Sequence, residues 1–269
     1  MRGSLWWIVP SLLLLAGCAH DVIIGDPPPP PPPPPPVADG AGNWRIPATV
    51  LDRATDGSMS ICTPVGHLCA RLRHGARWTL EAEVDGGARQ TLAVLPPVAD
   101  RGDTFYLLDP VIFREAGGAW LIGVERERFL NEPGVSRSNR ILSLFRWQAG
   151  ADEARLVAVV PEAGSRYLRR CPVRHGEPPR PACTQDFDFV ALFDLDLSNR
   201  AGPPRFVLES HADIFPGPHA PSPGPGVTPA MMRERDPVCS YRRVFSFDAA
   251  AERYVADTPL PPCADYLDF

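Results

Sequence analysis

Val190-Ala191-Leu192-Phe193-Asp194-Leu195 is an apolar and β-branched run that stops at Ser198-Asn199-Arg200-Ala201-Gly202 and resumes as Arg205-Phe206-Val207-Leu208. Bulky residues that fill a pleated surface, interrupted by small polar ones that allow reversal, make a two-stranded hairpin. The pattern recurs. Val111-Ile112-Phe113-Arg114 turns at Ala116-Gly117-Gly118 and returns as Ala119-Trp120-Leu121-Ile122-Gly123-Val124. Leu142-Ser143-Leu144-Phe145-Arg146-Trp147 turns around Gly150 and Asp152 and returns over Arg155 to Val160. Val244-Phe245-Ser246-Phe247 turns at Asp248-Ala249-Ala250 and returns as Arg253-Tyr254-Val255.

Earlier in the chain, Trp44 to Val50 reads as a first strand. Ser58 to Cys62 and His67 to Leu72 flank the turn Pro64-Val65-Gly66, and Trp78 to Val84 and Gln90 to Leu95 flank Asp85-Gly86-Gly87. Helical periodicity is almost absent. The expectation is an all-β fold, an antiparallel hairpin meander arranged as a β-sandwich, a barrel or a small propeller, with disulfide-closed loops. Phe193-Asp194-Leu195-Asp196 and its polar turn resemble a blade of the FG-GAP-type propellers. That resemblance covers one hairpin, lacks the family's glycine-rich Asp loop and implies shape alone. Two stretches interrupt the meander: the arginine-rich Ser165 to Cys183 and the proline-rich Pro216 to Pro237, longer than ordinary hairpin connections.

The N-terminus carries a different message. Arg2 precedes an apolar stretch over Leu5 to Leu15, too short to span a bilayer, followed by small residues before Cys18. Leu15-Ala16-Gly17-Cys18 resembles the lipobox of bacterial lipoproteins. The resemblance implies cleavage before Cys18, a diacylglycerol on its sulfur and a third acyl chain on its amino group, together enough for stable anchoring. In Gram-negative members, aspartate after the cysteine favours inner-membrane retention. Ala19 stands there, so the resemblance implies the outer membrane, with the protein facing the periplasm. Ten consecutive prolines, Pro27 to Pro36, form a polyproline II spacer of roughly 31 Å. Asp39-Gly40-Ala41-Gly42 then loosens the chain. The expected organisation is a signal peptide over 1–17, a lipid-anchored proline-rich tether over 18–43 and one all-β periplasmic domain over 44–269.

All 27 basic residues are arginine, which excludes Schiff-base chemistry. The net charge of −5 becomes more negative when Arg2 leaves with the signal, which argues against nucleic acid as a partner. With Cys18 lipidated, Cys62, Cys69, Cys171, Cys183, Cys239 and Cys263 remain. An even number in an exported chain reads as disulfides, and their grouping as local couples suggests 62–69, 171–183 and 239–263. No C-x-x-C or H-x-x-x-H supports the rival reading, zinc.

Candidate chemistry is sparse. Asp194-Leu195-Asp196-Leu197-Ser198-Asn199 starts like a calcium loop, but Asn199 and Arg205 stand where the EF-hand needs Gly and Glu. Asp186 and Asp188 alternate with Phe187 and Phe189 as outward carboxylates on a strand. His211, Asp213 and His219 could gather zinc or serve as a general base. There is no G-x-S-x-G, H-E-x-x-H or P-loop, and nothing calls for a cofactor or metal. Arg166, Arg169, Arg170 and Arg174, in the expected disulfide loop, form the best candidate partner surface, since guanidinium binds phosphates and carboxylates bidentately. The Glu125-Arg126-Glu127-Arg128 run reads as a strand whose charges face solvent. Two functional expectations follow: a lipid-anchored binding or scaffold module for an envelope protein or cell-wall component, or an envelope hydrolase acting on glycan or ester substrates.

Overall fold

The computed structural model describes residues 34–53, 55, 57–97, 103–169, 184–222 and 224–267. Cys18, Arg170, Cys171, Arg174, Cys183 and most of the proline run lie outside them.

The fold is all-β and antiparallel. A small sheet runs in order β3 (Thr49–Arg53), β4 (Met59–Cys62), β5 (Leu68–Arg73), β6 (Thr79–Val84) and β7 (Gln90–Val94). A large sheet begins with β1 (Val37–Ala38) and β2 (Trp44–Pro47), then β8 (Asp103–Arg114), β9 (Trp120–Glu132) and β10 (Val135–Trp147). It continues through β11 (Arg155–Arg169), β12 (Thr184–Leu195), β13 (Phe206–Phe215), β15 (Arg242–Asp248) and β16 (Arg253–Ala256). The two-residue β14 (Glu234–Arg235) pairs with β13, and two short helices, α1 (Pro229–Met232) and α2 (Ala264–Leu267), complete the chain. The large sheet is one hydrogen-bonded path, not a ring of separate four-stranded blades, so the two-sheet alternative holds and the propeller one does not.

Each expected turn is present. Asp85 and Gly86 both take positive φ, as in a type I′ turn, which the Gly87 N–H closes on the Val84 carbonyl at 3.0 Å. The first expected strand is shared: Trp44–Pro47 pairs with β8, and after Ala48 the chain crosses into the small sheet as β3. The central strands exceed the expected lengths. β8 to β12 have 12 to 15 residues, about 40–50 Å. One hairpin was not foreseen: Glu132 and Val135 pair across Pro133-Gly134, where Gly134 has φ 82°. Proline at the first turn position and glycine at the second suit a type II reversal.

Strand alternation gives β9 two buried faces. Trp120, Ile122 and Val124 join a core that the small sheet completes with Ile61, Leu68, Leu72, Leu80 and Leu92. Leu121 points into a second core with Leu142, Leu144, Phe193, Phe206, Phe245 and Tyr254. Phe206 is its hub, fully buried, with ring centroids 4.7 Å from Phe193, 4.9 Å from Phe113 and 4.9 Å from Tyr254. Strands distant in sheet order supply this core, so the large sheet curls over itself. Arg146 on β10 marks the closure, paired with Glu115 at 2.7 Å and set over the Phe247 ring of β15 at 5.8 Å.

A polar latch fastens the curl where the sequence suggested slack. The Asp39 carboxylate accepts from the backbone N–H groups of Ala41 and Asn43, and from the side-chain amides of Asn43 and Asn199. Asn43 also donates to the Gly202 carbonyl at 3.1 Å, and Arg45 pairs with Asp194 at 2.8 Å. Burial pulls the Asp39 pKa up, but these hydrogen bonds hold it below its ordinary value. Asp39 to Gly42 is thus an Asx-type turn pinned to the β12–β13 turn, not a loose connector, and the fold takes in Val37 to Asn43.

Cys62 and Cys69 face each other across the β4–β5 hairpin, Cα atoms 4.1 Å apart and bonded. Cys239 and Cys263 are bonded with Cα atoms 5.7 Å apart. Both agree with the expected local pairing; the 171–183 pair lies outside the described residues.

Candidate functional site

The Glu125-Arg126-Glu127-Arg128 run on β9 sorts charge by face. Successive side chains of a strand point to opposite sides, so both glutamates share one face and both arginines the other. Neighbouring strands extend the sorting. Arg128 lies opposite Asn139, Asn139 opposite Gly164, and Arg137 opposite Arg166, so Arg126, Arg128, Arg137 and Arg166 share a face. On the other, Glu127 lies opposite Arg140, and Arg140 reaches Glu125 at 3.1 Å.

The arginine face continues the wall against which the small sheet packs through Ile122 and Val124. On one side stands Tyr106, opposite Arg126 in register, its hydroxyl donating to the Pro96 carbonyl at 3.0 Å. On the other stands α2. Tyr266 packs edge-on against Phe187, Asn139 donates to the Leu267 carbonyl, and Gly164 lacks a Cβ where the Tyr266 carbonyl passes. All four arginines are half-buried. Among the described residues, Arg166 pairs with Asp265 at 3.0 Å and no carboxylate pairs with Arg126 or Arg137. The Nε atoms of Arg137 and Arg166 and the Oδ1 of Asn139 are buried without hydrogen bonds.

The opposite face is acidic. Glu125 is buried; burial raises its pKa against the lowering pull of Arg140. Asp109 sits at a bulge of β8, its Oδ1 accepting from the Val111 N–H at 2.8 Å. It fits because residue 123 is glycine: an added Cβ would lie 2.6 Å from the Asp109 Cβ. Glu162 occupies a bulge of β11 with a buried, unpartnered Oε2. Burial, with Glu125 nearby, raises Asp109 to about 7 and Glu162 to about 8. Carboxyls poised near neutrality could give or take protons. Sequence reasoning missed both, because each owes its place to a bulge that reassigns faces, which alternation cannot reveal.

The other sequence candidates disperse. Arg166 and Arg169 belong to β11, not to the expected loop. Glu125 is buried rather than solvent-facing: it lies on the face of β9 away from the small sheet, covered by the curled large sheet and paired with Arg140. Cys18, Arg170 and Arg174 lie outside the described residues. Asp194 is held by Arg45; Asp196 bonds first with Ser198 and then with Arg205, which hold its pKa down despite burial. Both carboxylates thus have an arginine as partner. His211 Nε2 stands 3.3 Å from Asp213 Oδ1 on the exposed side of β13, and His219 contacts Glu234 at 2.8 Å. Among the described residues, no group of three or more His, Cys, Asp or Glu side chains has the geometry to hold a metal ion. No helix among them is long and apolar enough to cross a membrane. The chain matches no protein-family model, and no curated protein or solved structure shows significant similarity to it.

Proposed function

We propose that this is a lipid-anchored protein of the bacterial envelope whose large sheet binds an anionic partner, the carboxylate- or phosphate-bearing cell wall or a protein of like charge. The observation that carries the reading is the row of Arg126, Arg128, Arg137 and Arg166 on one face of adjacent strands, where Arg126 and Arg137 have no carboxylate partner among the described residues. Like charges gathered in a half-buried setting repel one another, and an anion relieves that repulsion while gaining charge-assisted hydrogen bonds. Arginine's planar fork suits both candidate anions. The address rests on Leu15 to Cys18 and the proline run: the anchor holds the domain at the outer membrane, the spacer gives it reach into the periplasm, and the arginine face meets the partner there.

A photo-crosslinking residue at Arg128 in living cells tests this, with one at Val159 on β11 as the control. Wall fragments or one acidic envelope protein recovered from position 128 alone support the reading. Equal recovery from both positions refutes it.

The pair Asp109 and Glu162 favours a second reading, an envelope hydrolase in which one carboxyl donates and the other accepts a proton. Wall-glycan or ester hydrolysis that disappears in both Asp109→Asn and Glu162→Gln, with the fold intact, supports it. Undiminished hydrolysis in either variant removes it.

A further inference from the structure

We propose that the outer face of the small sheet is a binding site for an α-amino-acid-like zwitterion, with arginines taking the carboxylate and Glu81 the ammonium. Arg71, Arg73, Glu81, Arg89 and Thr91 line a polar cavity of about 390 Å³ on β5, β6 and the approach to β7. That size suits a small molecule. Register places Arg71 directly opposite Glu81, and Glu81 opposite Thr91.

Neighbours of opposite charge in such register ordinarily close into an ion pair. Here they do not. Glu81 is only 8 % exposed, yet it makes no hydrogen bond among the described residues, and its nearest cation, Arg73, stands 3.8 Å away. That separation exceeds hydrogen-bond range. Arg71 adds a buried Nε without a partner. Arg89 is held at the rim by Glu83 at 2.9 Å. Arg71 and Glu81 thus line one cavity, and no described residue takes a hydrogen bond from the Arg71 Nε or gives one to the Glu81 carboxylate, which leaves capacity for a small polar molecule.

A simple anion would satisfy the arginines and be repelled by Glu81. A simple amine would satisfy Glu81 and meet excess positive charge. One small molecule carrying both groups on a single carbon satisfies both ends, and the α-amino acid is the simplest chemical class that does so.

Isothermal titration calorimetry on the full-length chain, with glycine, acetate and methylammonium as probes, decides the matter. The expectation is millimolar or tighter binding of glycine, no comparable binding of acetate or methylammonium, and at least about tenfold weaker glycine binding in Glu81→Gln and in Arg71→Ala. Glu81→Gln is isosteric, and an unchanged circular dichroism spectrum verifies its fold; Arg71→Lys serves if Arg71→Ala unfolds. The proposal is overturned if glycine gives no heat at millimolar concentration, if acetate binds as well as glycine, or if Glu81→Gln binds glycine unchanged.

Discussion

Replacing Asp109 with asparagine removes one charge and almost nothing else, which makes it the sharpest probe of the acidic face. The amide keeps an oxygen for the Val111 N–H, now 2.8 Å from Oδ1, and fits the space left by Gly123. In the folded chain burial raises this carboxyl from 3.8 to about 7. A folded-state pKa above the unfolded one means that stability is fully present below about pH 4. It declines as pH rises, because the unfolded chain alone sheds the proton, and levels off above about pH 7. The shift is about three units at about 1.4 kcal/mol each, an upper bound near 4 kcal/mol. Glu125 and Glu162 share part of it, so about 2–4 kcal/mol is expected. Glu162 adds a second decline, ending near its own value of about 8. Urea unfolding followed by the fluorescence of Trp120 and Trp147, which lie in the core, reads this directly. The native chain should lose stability between about pH 5 and pH 8, and Asp109→Asn should show a flatter profile and exceed it at the upper end. Parallel profiles, or a variant less stable at about pH 8, would refute the reasoning.

Phe206→Ala empties the hub of the second core, where three rings lie within 4.9 Å, and should cost about 3–5 kcal/mol in the same unfolding assay. Gly123→Ala places a Cβ 2.6 Å from that of Asp109 and 2.9 Å from the Leu142 Cδ1; about 1–3 kcal/mol should be lost, and no loss would show that β8 yields freely. Paired Cys239→Ser and Cys263→Ser open a closure spanning 24 positions, worth about 3–4 kcal/mol in the chain-entropy account, and the midpoint denaturant concentration should fall accordingly. Cys18→Ser should abolish palmitate labelling and release the protein from membranes; a labelled Cys18→Ser chain would contradict the lipoprotein reading.

The reversals were legible because they are written in residues with special backbone freedom. Pro64-Val65-Gly66, Asp85-Gly86 and Ala116-Gly117-Gly118 each sit at the turn they announce. Strand lengths were not. Apolar alternation stops in β9 after Val124, yet the strand continues through Glu132, its alternation now carried by charge. Buried apolar patterning finds the parts of strands that line a core; the halves projecting beyond it answer to charge and cross-strand pairing instead. For the same reason Ser165 to Arg169 resembled the start of a loop and forms the end of β11. The arginine face needed register as well as pattern. Arg137 and Arg166 stand 29 positions apart in the chain, and only the β10–β11 pairing brings them opposite each other. The Asp39 latch depends likewise on Asn199, which reaches it only because the sheet curls.

Charge reversal on the two faces of the central sheet bears most directly on the proposed function. Purified chains carrying Arg137→Glu or Glu127→Arg would be compared with the native protein for co-sedimentation with isolated cell-wall sacculi, at low and at high salt. Binding of the native chain should weaken as salt screens it, Arg137→Glu should lose at least about tenfold in affinity, and Glu127→Arg should bind as well or better. A native chain that does not sediment with the wall, or an Arg137→Glu chain that sediments as the native one does, would contradict the arginine face as the partner surface for the wall.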